Sequence, residues 1–255
     1  MNPAWYPALF ATGLVAGFVD AMAGGGGLLT VPMLMASGLP PQVVLGTNKF
    51  QSSCGTALAT WQYAQHGLLD WKTVRTGIFA TLTSSLAGAW AVSQIEPSFL
   101  RPLIPGLLLV IALYTAFKPD LGQKPRPALL SHTIFGIVIG LILGFYDGFF
   151  GPGTGSFWTV ACVLLLGLSL LPATAYTKVM NLTSNLASLA VFLFQGKVRF
   201  DVGLTMAAGQ LIGGQLGARM AVQGGHRVIR PVFLTMVVIL TLKLGRDAWL
   251  QGAVP

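Results

Sequence analysis

An aspartate, a run of glycines and a lysine occur together twice in this chain, both times among residues too apolar for a soluble loop. The first set is Asp20, Gly24-Gly25-Gly26-Gly27 and Gly46-Thr47-Asn48-Lys49. Gly17-Phe18-Val19-Asp20 returns as Gly144-Phe145-Tyr146-Asp147, and Gly24-Gly25-Gly26 as Gly151-Pro152-Gly153, both displaced by 127 positions (17 to 144, 24 to 151). Farther on, Lys49 matches Lys178, Gly67 matches Gly196, Gly88-Ala89 matches Gly217-Ala218 and Arg101-Pro102 matches Arg230-Pro231, all displaced by 129 (49 to 178). One small insertion separates the two registers. The chain reads as a duplicated unit, with a first repeat over 1–117, a linker over 118–127 and a second repeat over 128–255.

Composition decides the solvent. Of 255 residues, 54% are hydrophobic and 9% charged, and the mean hydropathy is +0.72. A soluble domain carries about 25% charged residues. Several apolar segments reach the roughly 20 residues that span the hydrocarbon core. The expected fold is all-α: a polytopic membrane protein of about 8–10 membrane segments, with two tandem repeats and glycine-broken helices. Met1 to Tyr6 contain no basic residue, so the first apolar segment is expected to be retained as a helix and not cleaved as a secretory signal. The net charge of +8 sits at segment ends, as orientation signals do, which argues against nucleic acid as a partner.

Five apolar segments can be drawn in each half. They run over Ala4–Ala23, Leu28–Ser37, Gln42–Gln65, Val74–Ile95 and Phe99–Phe117, then Leu129–Phe150, Ser156–Leu171, Ala173–Phe194, Val202–Val222 and Val228–Trp249. Lys118 to Pro127 is polar and proline-rich, a linker and not a span. Leu28–Ser37 is about 15 Å long at the helical rise, near half of the hydrocarbon thickness. Short segments interrupted by Gly and Pro at matching places in two repeats point to a transporter binding site, because irregular backbone at membrane depth survives only where protein or water satisfies it. Gly136, Gly140, Gly144 and Gly148, Gly209, Gly213 and Gly217, and more weakly Thr81, Ser85 and Gly88, line small residues on one helix face and are expected to pack helices closely. Lining a pathway would be their secondary role, and a homo-oligomer is among the partners expected.

Topology turns on the short segment. If it re-enters, the halves run parallel, and Lys72, Arg75, Lys118, Lys124, Arg126, Lys197, Arg199, Lys243 and Arg246 share one side against Arg101, Arg219, Arg227 and Arg230. If it crosses, the halves are inverted, and Lys72, Arg75, Lys118, Lys124, Arg126, Arg219, Arg227 and Arg230 face the other five. The positive-inside rule favours the first arrangement, with both termini cytoplasmic.

Lys49 and Lys178 are ionisable groups in or near the apolar region, and such groups are costly there unless they serve a site. Lys49, Ser52, Ser53, Thr56 and Thr60 share one helical stripe, and Lys178, Asn181, Asn185 and Ser188 share another. Helix N-termini freed by the glycine breaks would add backbone N–H groups and partial positive charge, which suits an anion. The substrate contacts expected are Gly24, Gly25, Gly26, Gly27, Asn48, Lys49, Ser52, Gly151, Gly153, Thr177, Lys178 and Asn181. Asp20 and Asp147 are expected either to neutralise the lysine of their own half or tie down loose N–H groups, and so hold the loop, or to serve as a proton or cation site coupled to transport.

Enzymatic signals are missing. Gly151-Pro152-Gly153-Thr154-Gly155-Ser156 lacks the lysine of a phosphate loop, and His66, His132 and His226 lie far apart near segment ends. Cys54 and Cys162 have no metal or redox spacing and read as buried thiols. Neither a catalytic residue, a metal nor a cofactor is expected.

The pattern Gly17, Asp20, Gly24-Gly25-Gly26-Gly27-Leu28-Leu29, Pro32 and Gly46-Thr47-Asn48-Lys49 resembles the TauE/SafE sulfite exporter family. Gly144, Asp147-Gly148, Gly151-Pro152-Gly153-Thr154-Gly155 and Thr177-Lys178-Val179-Met180-Asn181 are similar to that family's second repeat. The resemblance covers nearly the whole chain. It implies a transporter of sulfite, sulfoacetate, other organosulfonates or related sulfur anions in the bacterial cytoplasmic membrane, with the bilayer and a small anion as partners. A passive anion channel and a membrane interaction or assembly protein are the alternatives.

Overall fold

The structure is a computed structural model and describes residues 3–100, 125–225, 227–229 and 231. Most of the segments drawn at Phe99–Phe117 and Val228–Trp249, and most of the linker, lie outside the described residues. Among the described residues eight helices carry the fold, and the all-α expectation holds. They are α1 (Trp5–Ala23), α2 (Gly27–Ala36), α3 (Pro41–Gln65), α4 (Trp71–Ser93), α5 (His132–Phe149), α6 (Thr154–Leu165), α7 (Leu170–Phe194) and α8 (Phe200–Gly224).

Local chemistry sets the ends. The α1 helix stops at Gly24, whose φ of 71° an L side chain rarely adopts, and α2 resumes three residues later for only 10 residues. Pro41 sits at the first position of α3, where a missing N–H costs nothing. Asp70 caps α4 by accepting from the Lys72 N–H, and Ser131 caps α5 by accepting from the Ile134 N–H. One boundary differs from the sequence reading. The segment drawn as Ser156–Leu171 ends at Leu165, because Gly167 turns the chain at a φ of 66° and its carbonyl accepts from the Arg126 N–H. The apolar run on both sides of that glycine concealed the turn.

Glycine faces bring helices together in pairs, one from each half. Gly13 and Gly17 of α1 lie against Met206 and Gln210 of α8, and Gly217 lies against Phe18. Gly136, Gly140 and Gly148 of α5 meet Gly77, Ala80 and Ser85 of α4, and Ser85 Oγ donates to the Gly144 carbonyl at 2.8 Å. In both pairs residue numbers rise together, so the paired helices run in the same direction. The Arg199 N–H donates to Thr47 while Gly55 touches Gln210, so α3 runs with α8 as well. Gly46 meets Phe192 while Lys49 meets Asn185, so α7 opposes α3. Gly77 meets Tyr176 and Ser93 meets Gln195, so α4 runs with α7.

The result is two sets of opposite direction: α1, α3 and α8 against α4, α5 and α7. This corrects the parallel halves favoured by the charge split, since α1 and α5 would then run the same way. The physical reason lies in residues 24–40. Tyr6 of α1 reaches Asp201 and Thr47 of α3 reaches Arg199, so both helices start at the same end of the bundle. The short α2 therefore returns the chain to the end it came from. Lys72, Arg75, Arg126, Arg219 and Arg227 stand at the opposite end, and Lys197 and Arg199 at the α1 start.

The outside of the bundle is apolar, and polar side chains gather inside it. Val15, Phe79, Trp90, Ile142, Phe145, Leu186, Leu204 and Leu216 are exposed, while Thr47, Asn48, Gln51, Thr81, Ser85, Thr174, Ser184 and Gln210 are buried. In water that arrangement would be inverted, because exposed apolar patches of this extent are rare on soluble monomers. By length and apolarity, α1 and α5 qualify as membrane-crossing helices among the described residues. Three apolar clusters, around Leu9 and Leu34, around Phe135 and Trp158, and around Tyr63 and Ala218, surround the polar centre.

Candidate functional site

The two glycine breaks meet at the centre of the bundle. A side-chain carbon on Gly24 would stand 2.5 Å from the Gly155 carbonyl carbon, and one on Gly155 would stand 2.7 Å from the Gly24 Cα. Backbone therefore touches backbone, which no larger residue permits. Gly25, Gly151 and Gly153 also hold positive φ angles of 88°, 95° and 83°. The consequence is that α2 and α6 begin on either side of one small space, each presenting its N-terminal end.

The acids and lysines are paired across the halves. Lys49 donates to Asp147 Oδ1 at 2.6 Å and to Asn185 Oδ1 at 3.2 Å. Asp147 Oδ2 accepts from Ser184 Oγ. Lys178 donates to Asp20 Oδ2 at 2.9 Å and to the Asp20 carbonyl oxygen, and Asp20 Oδ1 accepts from the Gly26 N–H at 3.1 Å. Pairing within each half, the expectation from sequence, is thus corrected: each lysine takes the acid of the other half. Opposed halves bring α3 against α7, so each lysine faces its counterpart's acid and not its own. Lys49 is 1% exposed, Lys178 0% and Asp147 3%, so these are buried charges whose cost is offset only by such partners.

A polar cavity of about 30 Å³ lies between the breaks. Of the residues expected from sequence, Gly25, Gly27, Asn48, Lys49, Ser52, Gly151, Gly153 and Asn181 line it, together with both acids. Gly24, Gly26, Thr177 and Lys178 do not. Gly24 is the contact between the breaks, Gly26 holds Asp20, and Thr177 shares a 3.1 Å hydrogen bond with Thr159. Thr154, Gly155 and Asn185 complete the wall. Asn185 lay on the polar stripe, one turn beyond Asn181, and that spacing was the signal for it. Ser184, three residues after Asn181 and four before Ser188, had the same spacing and was missed.

The wall is rich in donors. Among the described residues the amides of Gly25, Gly27, Gly153 and Gly155 make no hydrogen bond, and they sit where the positive ends of two helix dipoles converge. The Asn181 carboxamide is buried, and its Oδ1 has no partner. Asn48, by contrast, is committed: its Oδ1 accepts from Thr30 Oγ1 and from Gln51 Nε2 at 2.8 Å. A volume near 30 Å³ suits a group of a few heavy atoms.

An all-helical body, apolar outside and ion-paired inside around a small polar cavity, defines a membrane protein of the transporter class. The chain belongs to the TauE/SafE family: residues 9–244 match the family described as Sulfite exporter TauE/SafE. It is 42% identical over 239 residues to a Haemophilus influenzae protein named "Probable membrane transporter protein", covering 94% of each chain. It is 38% identical over 239 residues to "Probable membrane transporter protein ORF9" of a Sinorhizobium species, covering 94% of this chain and 92% of the relative. It is 37% identical over 248 residues to "Probable membrane transporter protein YfcA" of Escherichia coli K12, covering 97% of this chain and 92% of the relative. No solved structure matches the chain.

Proposed function

We propose that this chain moves small sulfur-containing anions, sulfite and organosulfonates among them, across the bacterial cytoplasmic membrane, with a proton as coupling ion. The observation that carries the reading is the cavity at which α2 and α6 start, lined by Lys49 and by four glycines whose amides make no hydrogen bond among the described residues. A lone anion in hydrocarbon is costly, and oriented amides with a nearby ammonium are what lowers that cost. Gly25, Gly27, Gly153, Lys49, Ser52 and Asn181 hold the substrate in this reading, and Gly151 and Asn48 shape the wall. The family description adds the sulfur chemistry.

The protein is multi-pass in this reading, built of two inverted repeats whose short helices meet at mid-membrane. Lys72, Arg75, Arg126, Arg219 and Arg227 put their end of the bundle in the cytoplasm. Flux in proteoliposomes tests the function, using radiolabelled sulfite, sulfoacetate and methanesulfonate with and without a pH gradient. Uptake beyond equilibration under the gradient is the expected result. Flux that only equilibrates would mean a passive anion channel, and no flux of any of the three would overturn the transport reading in favour of an assembly role.

A further inference from the structure

The two repeat-related ion pairs are not equivalent. Lys178 is fully enclosed and lies off the cavity wall. It grips Asp20 by both the carboxylate and the main-chain carbonyl, at the last turn of α1, and Asp20 is held from the other side by the Gly26 N–H. Freeing that ammonium would break a bond to the main chain as well as one to the carboxylate. Lys49 is held by side chains alone, Asp147 and Asn185, and its ammonium lines the cavity. Asp147 has Ser184 as a second partner, which can keep the carboxyl in place when the lysine leaves.

We infer that Lys49 and Asp147 form an exchange pair in which the transported anion displaces the carboxylate from the lysine, while Lys178 and Asp20 form a fixed strut. The inference rests on the transport reading above and assigns its coupling step. As the anion binds, the Lys49 N–H to Asp147 Oδ1 hydrogen bond breaks and an N–H to anion bond forms. The abandoned carboxylate is buried, with Ser184 as its remaining donor, and a lone buried charge is not sustained. Asp147 takes one proton from water on the open side and gives it back when the anion leaves. The charge then balances for a singly charged anion: one ammonium, one anion, one neutral acid.

The groups facing Asp147 agree with this count. The α3 helix offers Lys49, α1 offers Asp20 across the cavity, and α7 offers Ser184 and Asn185. The α6 helix offers Thr154 at the cavity, and α4 packs serines and threonine on α5. Tyr146, next in sequence, is committed to the Pro152 carbonyl at 2.7 Å. No second acid beyond Asp20 stands near to take the proton among the described residues, and Asp20 is already bound to Lys178.

Radiolabelled methanesulfonate, a strong-acid monoanion, is the probe. One proton per anion predicts that wild-type proteoliposomes one pH unit alkaline inside concentrate it about tenfold at the end point. Wild-type uptake should also acidify the lumen by one proton per anion. Asp147→Asn should let the anion only equilibrate. Asp20→Asn with Lys178→Met, which leaves no unpaired charge, should fill more slowly but reach the tenfold end point, since that ratio is independent of rate. Wild-type flux without lumen acidification overturns the inference and leaves transport standing, as does tenfold accumulation by Asp147→Asn or mere equilibration by the strut double variant. No wild-type flux of methanesulfonate, sulfite or sulfoacetate removes the transport reading and the inference together. If one variant does not fold, the end point of the other decides together with the wild-type proton count.

Discussion

Lys49 and Asp147 lie 98 residues apart and share a 2.6 Å hydrogen bond in the interior of the bundle. Neither is matched to the charged residue of its own half. The bond runs between α3 and the end of α5, so it closes only when both halves are in place.

Rescue by the right partner follows from that pairing. Lys49→Met should destabilise the folded protein by about 3–5 kcal/mol, the cost of stranding a buried carboxylate. Adding Asp147→Asn should recover most of the loss, and adding Asp20→Asn should deepen it by also breaking the Lys178 pair. Thermal unfolding of the purified protein in detergent reads both, and rescue by Asp20→Asn would contradict the pairing.

The opposed helix directions place the α3–α4 turn and the α7–α8 turn at opposite ends of the bundle, and the proposed topology puts those ends on opposite sides of the membrane. In a Cys54→Ala background, His66→Cys should react with an impermeant maleimide only from the cytoplasmic side. Lys197→Cys should react only from outside. Cys162 is buried and contributes no background. Labelling of both from one side would restore parallel halves.

Glycines in similar company should differ in cost. A carbon on Gly213 would sit 1.9 Å from the Leu14 carbonyl oxygen, and one on Gly88 would sit 2.2 Å from that of Phe145. Backbone cannot yield as a side chain does, so each alanine should lose about 1–3 kcal/mol or more by forcing helices apart. That outweighs the roughly 0.5–1 kcal/mol an alanine gains over glycine in a helix. Gly67→Ala meets no atom within 4 Å but must hold a φ of 68°, which costs about 1–2 kcal/mol. Chemical denaturation in mixed micelles should show all three variants less stable than the unsubstituted protein.

Contact between the breaks gives a functional test. Gly155→Ala would press on the Gly24 Cα and on Asn181 Nδ2, at 2.7 and 2.8 Å. Sulfite uptake should fall at least tenfold while the amount of protein in the membrane stays within twofold, a loss of about 1.4 kcal/mol or more. Normal uptake would show that the two breaks tolerate separation.

Residue types were legible where physics makes them rare. A lysine or aspartate amid apolar residues, or a glycine run that no membrane helix needs, announces itself from composition, and Lys49, Asp147 and Gly25 all reached the cavity wall. Partnership was not legible. An offset of 127 or 129 identifies equivalent positions, but equivalence says nothing about which residues face each other, and opposed halves exchange the partners. The direction of α2 was hidden for a similar reason. Ten residues look too few to cross, and only the common starting end of α1 and α3 shows that the chain has turned back. Turns inside apolar runs, as at Gly167, escape detection because their flanks carry no polar residue.

The pairing of α1 with α8 and of α4 with α5, across the halves, has a consequence for biogenesis. While the ribosome is still making the second half, α1 has no α8 to lie against and α4 has no α5. Asp20 and Lys49 must wait in or near the insertion machinery without partners that arrive 158 and 98 residues later, since a charge on a newly inserted helix costs about 2.5–3.5 kcal/mol at mid-membrane. A nascent chain arrested before Asp147 should therefore stay bound to the insertase or be degraded, and an isolated first half should accumulate only when the second half is co-expressed.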